Sequence, residues 1–232
     1  MVIVNTGHES FIFISDREET KGREVRLFLP GWGFDGRAAL LFPVFEKGDM
    51  IIPTGAVTPN IIAELNSFLE KRGIKRINLV GWSLGANLGL DYALNHGEKV
   101  SSLTLAAMRT SWPAREVEKI RGGLLADPGQ FMQDFYRKCF LGSPQTYKHF
   151  IKEFQEKYLI NLNIDCLIDG LDYLEDYRFM SVPVSSGIKV RVLHGVRDLI
   201  APVAERPCMD GASETLFPRL GHAVLSDERI TL

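Results

Sequence analysis

The chain has 232 residues, 45% of them hydrophobic and 24% charged, and a formal net charge of −2 at pH 7. That balance fits a globular chain with a full core and gives no global attraction to nucleic acid. No apolar run approaches the roughly 18 residues of a membrane span, and the short apolar start lacks the basic region and long apolar core of a secretory leader.

The three cysteines, Cys139, Cys166 and Cys208, have neither metal-type nor redox-type spacing. They read as reduced thiols of a cytoplasmic protein; separately from them, a monomer is the expected state. Residues 2–4 and 11–14 read as two strands joined by a turn at 5–7, followed by a charged connection over 16–22. Residues 25–29 form an apolar strand that stops at Pro30, and Gly31-Trp32-Gly33-Phe34 makes a glycine-rich turn after it. A short helix is expected over 38–45 and a strand over 50–53. Residues 59–72 carry Ile62, Leu65 and Leu69 at helical spacing, and Gly73 closes that helix. A strand over 77–80, a helix to Asn95 and a strand over 100–107 follow. Strands alternating with helices imply an α/β chain with a mostly parallel sheet.

The pattern then changes. From 111 to about 180 only helices are expected: one from Ser111-Trp112-Pro113 to Gly122-Gly123, then 128–140, 144–158 and 164–174. Strand patterning resumes at 188–193. The expected organisation is a core of residues 1–108 and 182–232, with residues 109–181 inserted as a helical cap. In open parallel sheets ligands bind at the carboxyl ends of the strands, so a cap there would shield a site from water.

Between the strand at 77–80 and its helix sits Gly81-Trp82-Ser83-Leu84-Gly85, a G-x-S-x-G. A strand before and a helix after are the context of a nucleophile elbow, a sharp turn that exposes the serine hydroxyl. Serine is a weak nucleophile unless a base takes its proton. Of the five histidines, His8 falls in the first hairpin, His96 at the far end of the elbow helix and His149 on an inserted helix. His194 ends a strand and reads as structural, whereas His222 follows the last strand, where a base can reach the elbow. Asp198, in the loop after the 188–193 strand, is the acid that would orient it. The order Ser83, Asp198, His222 is that of α/β hydrolases. Two oxyanion donors are expected, the backbone N–H groups of Leu84 and Trp32. There is no H-E-x-x-H, no paired Cys/His spacing and no phosphate-binding G-x-x-x-x-G-K, so neither metal nor cofactor is expected.

With these residues placed, the chain resembles the α/β-hydrolase superfamily over nearly its whole length. Within it, the chain is similar to the pimeloyl-acyl-carrier-protein methyl ester esterases of biotin synthesis. The stretches that carry this are residues 30–34, 81–85, 134–140, 170–174 with Asp176, and 221–223. Pro30 stands where that family has histidine, and the chain ends at Leu232 with an abbreviated final helix. The resemblance implies a serine carboxylesterase acting on a medium-chain acyl ester. It also implies that Trp32, Trp82, Phe140 and Leu141 contact the acyl chain. Arg137, Lys138, Lys148 and Lys152 would then meet an acidic carrier protein. A thioesterase or lyase on the same scaffold, and an idle ligand-binding relative, are the alternatives.

Overall fold

The computed structural model describes residues 2–4, 10–15, 25–180 and 187–232. His8, the turn at 5–7 and the connection at 16–22 lie outside the described residues.

Eight strands form one sheet in the order β1-β2-β4-β3-β5-β6-β7-β8. β1 (Val2–Val4) and β2 (Phe11–Ser15) are antiparallel, as are β2 and β4 (Met50–Pro53). From β4 the sheet runs parallel through β3 (Val25–Leu29), β5 (Ile77–Trp82), β6 (Val100–Ala106), β7 (Lys189–Gly195) and β8 (Ser213–Phe217). Central strands covered on both faces are near-continuous apolar runs. In β3, Leu27, Phe28 and Leu29 are all buried, and in β5 so are Ile77, Leu79, Val80 and Trp82. β8 is an edge strand and buries only Phe217; its exposed Ser213, Glu214 and Thr215 keep the edge polar.

α1 (Ile61–Lys71) buries Ile61, Leu65, Phe68 and Leu69, a stripe at helical spacing. α2 (Leu84–Asn95) is buried at every position from Leu84 to Leu90, because it crosses the middle of the sheet under other elements. Between β6 and β7 come α3 (Ala114–Ala126), α4 (Pro128–Cys139), α5 (Pro144–Phe150), α6 (Glu156–Ile160) and α7 (Ile164–Asp176). Asp127 caps α4 by accepting from Gln130 N at 3.0 Å, and Asn163 caps α7 by accepting from Cys166 N at 3.1 Å.

Four local expectations change. The helix over 38–45 is two 3-10 pieces, Gly36–Leu41 and Pro43–Phe45, because Pro43 has no N–H to continue the first. Ser111 does not start α3; it bridges to Arg178, and Pro113 is the cap residue. α3 passes through Gly122-Gly123 to Ala126, since Gly123 makes room for Phe131 instead of ending the helix. The helix over 144–158 contains a π turn, Ile151–Gln155. Phe150, Phe154 and Tyr158 are four apart and all buried. A period of about 3.6 would carry them around the axis, and the wider turn holds them inward.

Two glycine substitutions should act in opposite directions. A Cβ on Gly122 meets nothing within 4 Å, so Gly122→Ala in α3 should stabilise by roughly 0.5–1 kcal/mol. A Cβ on Gly85 would lie 2.0 Å from the Leu29 carbonyl oxygen, so Gly85→Ala should destabilise by about 3 kcal/mol or more. Urea unfolding of both variants measures the contrast.

Candidate active site

β5 ends at Trp82, α2 begins at Leu84, and Ser83 turns the chain between them with φ 56° and ψ −120°. A non-glycine residue in such a region costs on the order of 1–3 kcal/mol and persists only where its surroundings enforce it. Here Ser83 N donates to Ala106 O at 2.8 Å, tying the turn to β6. The turn closes because Gly81 and Gly85 have no side chains: a Cβ on Gly81 would lie 2.3 Å from Gly85 O. Ser83 is thereby lifted to the carboxyl end of the sheet.

The loop after β3 lies directly against this turn. A Cβ on Gly31 would sit 3.2 Å from Ser83 Cβ. The Trp32 N–H has no hydrogen-bond partner among the described residues, and Leu84, as first residue of α2, has no carbonyl one turn back. Both expected oxyanion donors therefore flank Ser83 with their N–H groups uncommitted. The Trp32 indole is anchored from the helical insertion: Nε1 donates to Leu167 O at 2.8 Å, and Phe135 packs edge-on at 4.9 Å. Tyr136 donates to Gly33 O at 2.9 Å and Tyr158 to Asp35 Oδ1 at 2.9 Å.

Asp198 and His222 meet. His222 Nδ1 donates to Asp198 Oδ2 at 2.8 Å, and both side chains are sealed from solvent. The other carboxylate oxygen, Oδ1, accepts from Ile200 N at 2.8 Å and Ala201 N at 2.9 Å. Burial raises the Asp198 carboxyl, but the His222 charge and hydrogen bond together with those two amides outweigh it and hold it below the usual carboxylate range. The loop bearing His222 is pinned by Arg197 N to Leu220 O at 2.9 Å and Ala223 N to Cys139 O at 3.0 Å. The His222 ring packs 5.6 Å from that of Trp82, whose Nε1 donates to His222 O at 2.8 Å. These contacts bring the imidazole beside the elbow. The Ser83 hydroxyl and the imidazole are not hydrogen-bonded to each other; such bonds in free enzymes often tighten only when substrate binds.

The remaining described histidines stay away from the serine. His96 bonds Asn66 and packs on Tyr92, and His149 is exposed on α5. His194 is fully buried, with Nε2 donating to Ala201 O at 2.8 Å and lying 3.7 Å from Asp198 Oδ2.

A cavity of about 390 Å³ opens over Ser83 and is lined by Trp32 and by residues of α3, α4 and α7. That size suits a small-molecule ligand. Trp82, Phe140 and Leu141 do not line it. Trp82 has no exposed surface and packs beneath the elbow on Phe34 and Phe42. Phe140 is 2% exposed within a cluster containing Phe34, Tyr147 and Phe150. The Leu141 side chain is exposed, while its carbonyl abuts Gly221. The walls are instead Trp112, Ile120, Phe131, Phe135, Leu199 and Ile200, with Leu171 and Leu174 from the 170–174 stretch. Phe131 and Phe135, four apart on α4, are the signal in the sequence that marks this face. Of the four basic residues, Lys138 reaches the cavity rim, Arg137 pairs with Asp134 at 3.0 Å, Lys152 pairs with Glu153 at 2.8 Å, and Lys148 is exposed.

The strand order, the serine turn after β5, the acid after β7 and the histidine after β8 decide the architecture. The chain has the α/β-hydrolase fold. Residues 29–143 match a family profile described as alpha/beta hydrolase fold. An esterase from Exiguobacterium antarcticum superposes on this chain with a TM-score of 0.73 at 17% identity, covering 94% of this chain and 90% of that one. An enol-lactonase from Burkholderia xenovorans does so with a TM-score of 0.73 at 12% identity, covering 93% and 89%. Among curated proteins, the 2-hydroxy-6-oxononadienedioate/2-hydroxy-6-oxononatrienedioate hydrolase of Paraburkholderia phymatum is 26% identical over 161 residues, 67% of this chain. The chain spans about half the length (49%) of that relative. No helix among the described residues is long and apolar enough to cross a membrane.

His194 gives a pH prediction. Burial pushes its pKa down, so the folded chain holds it neutral where the unfolded chain takes up a proton. The unfolded state then binds more protons, and stability falls as pH drops below the unfolded value of about 6.5. Urea unfolding between pH 7.5 and 5.5 should show this loss in the wild type. His194→Gln should have a shallower dependence, by up to about one proton.

Proposed function

We propose that this chain is a serine hydrolase that cleaves a carboxylic ester through an acyl-enzyme. The observation that carries the reading is the buried 2.8 Å contact of Asp198 with His222 beside the Ser83 turn. His222 takes the Ser83 proton as the hydroxyl oxygen attacks the ester carbonyl carbon. Asp198 holds the imidazole in orientation and stabilises its charged form. The negative oxygen of the tetrahedral intermediate is met by the N–H groups of Trp32 and Leu84, which have no hydrogen-bond partner among the described residues. His222 returns the proton to the leaving alkoxide, and the alcohol departs. It then deprotonates water for attack on the acyl-enzyme, and collapse of the second intermediate frees the acid and restores Ser83.

The apolar cavity walls support an acyl group of medium length. A pimeloyl-acyl-carrier-protein methyl ester is the narrower form of this reading, supported by the 134–140 and 170–174 stretches. In it the helical insertion acts as the cap, and exposed Arg137, Lys138, Lys148 and Lys152 are the candidates for carrier contact. A second reading, hydrolysis of an unsaturated oxo-diacid or of an enol lactone by the same serine, is supported by the names of the Paraburkholderia and Burkholderia proteins.

Ser83→Ala should lower p-nitrophenyl butyrate hydrolysis by at least about 10³-fold and abolish labelling by a fluorophosphonate, with the circular dichroism spectrum unchanged. Retained labelling in that variant would overturn the mechanism. Asp198→Asn should cost on the order of 10⁴ in kcat. A panel of acyl esters, thioesters and an enol lactone separates the two readings by which bond turns over fastest.

A further inference from the structure

The charges at the cavity do not cancel. Two acids and two lysines line it: Glu116, Asp134, Lys119 and Lys138. Both acids already have cationic partners that are not part of the wall. Arg109, 3% exposed, reaches Glu116 Oε2 at 2.7 Å, and Arg137 reaches Asp134 Oδ1 at 3.0 Å. Neither lysine makes an ion pair or hydrogen bond among the described residues. With Arg109 shared between Glu116 and Glu205, and Arg137 paired with Asp134, the two lysines leave one positive charge in excess around the cavity, in a chain whose net charge is −2.

A third donor is unmatched in the same wall. The Trp112 side chain is 7% exposed, and its Nε1 is buried with no hydrogen-bond partner. Buried donors left without acceptors are rare and cost about 1–3 kcal/mol each. The Arg109 guanidinium stacks 4.6 Å from the Trp112 ring and is itself fixed by Glu116 and Glu205, so the indole is held in place. The lining of an apolar cavity thus includes two lysines without an ion pair of their own, beside an indole whose N–H is buried and unpartnered.

We propose that the substrate carries an anionic group remote from the scissile bond, a carboxylate at the far end of its acyl chain, and that Lys119 and Lys138 receive it. The proposal rests on the serine-hydrolase reading and deepens it: Ser83 chooses the bond, and the lysine pair chooses the chain end. It reassigns Lys138 from carrier-protein contact to the cavity. A phosphate on a carrier arm would present the same kind of charge, so the test includes both sources.

The experiment compares kcat/KM on monomethyl adipate and monomethyl suberate with that on the uncharged dimethyl esters of the same length, and on methyl 6-phosphonohexanoate. The wild type should favour the monomethyl esters through KM. Rim ion pairs are individually weak, so Lys119→Gln and Lys138→Gln should each lower the charged-to-neutral ratio about threefold to fivefold, and the double variant about tenfold. Lys75→Gln, the same charge change on an exposed residue of a distant connection, should leave the ratio alone. Raising NaCl from 0.02 to 0.5 M should collapse the wild-type ratio and leave that of the double variant flat. A wild-type preference for the dimethyl esters, or a ratio the double variant retains, overturns the proposal. A preference confined to the phosphonate overturns the carboxylate assignment. Hydrolysis of all the esters without charge selectivity sinks only this inference. Loss of Ser83 labelling by a fluorophosphonate sinks the serine mechanism itself.

Discussion

The structure depends on one forced approach. α2 comes so close to the ends of β3 and β5 that a single methyl group on Gly85 or Gly81 would overlap backbone atoms. That contact leaves Ser83 no room for an ordinary helical or extended conformation, and its φ of 56° follows. A turn of this kind cannot be made by loop preference alone. It is paid for by α2, buried along its first two turns, and by the parallel strands it covers. The hydroxyl that would do the chemistry is the least relaxed point of the best-packed part of the chain.

The proposed acid and base are supported by different means. Asp198 is fixed by its own chain, through two amides two and three residues ahead of it. Its fourth neighbour is His194, whose imidazole sits 3.7 Å from the same carboxylate that bonds His222. One carboxylate thus lies between two imidazoles, and burial keeps His194 neutral. A charged His194 would compete for Asp198, so its desolvation preserves the pairing with His222.

Much of this was legible in the residues. Gly81-Trp82-Ser83-Leu84-Gly85 locates the turn because the motif needs a strand before it and a helix after it, and periodicity supplies both. Asp198 follows a strand whose pattern is clear, whereas the strand before His222 buries only Phe217 and shows no such pattern, so His222 is placed by chain order alone. The cavity walls were not legible, for a physical reason. Whether Phe140 or Phe135 lines the cavity depends on how the inserted helices roll against the loop after β3, and both are aromatic residues near the end of α4 that contact Phe34. Trp82 misleads similarly: a tryptophan beside a nucleophile looks like a contact residue, yet an alternating strand turns it away from the hydroxyl into the core. Helix ends erred where glycine and proline had packing roles, as at Gly123, or where a π turn intervened.

The loop bearing Trp32 is held from above as much as from below. Leu167 takes its indole N–H, Tyr136 takes the Gly33 carbonyl, and Tyr158 takes Asp35. The helices after β6 are therefore not a detachable roof. Swapping them for those of another member of the fold would strip three anchors from the loop after β3 that lies against the Ser83 turn, so in this chain the inserted helices and the serine turn are coupled through that loop.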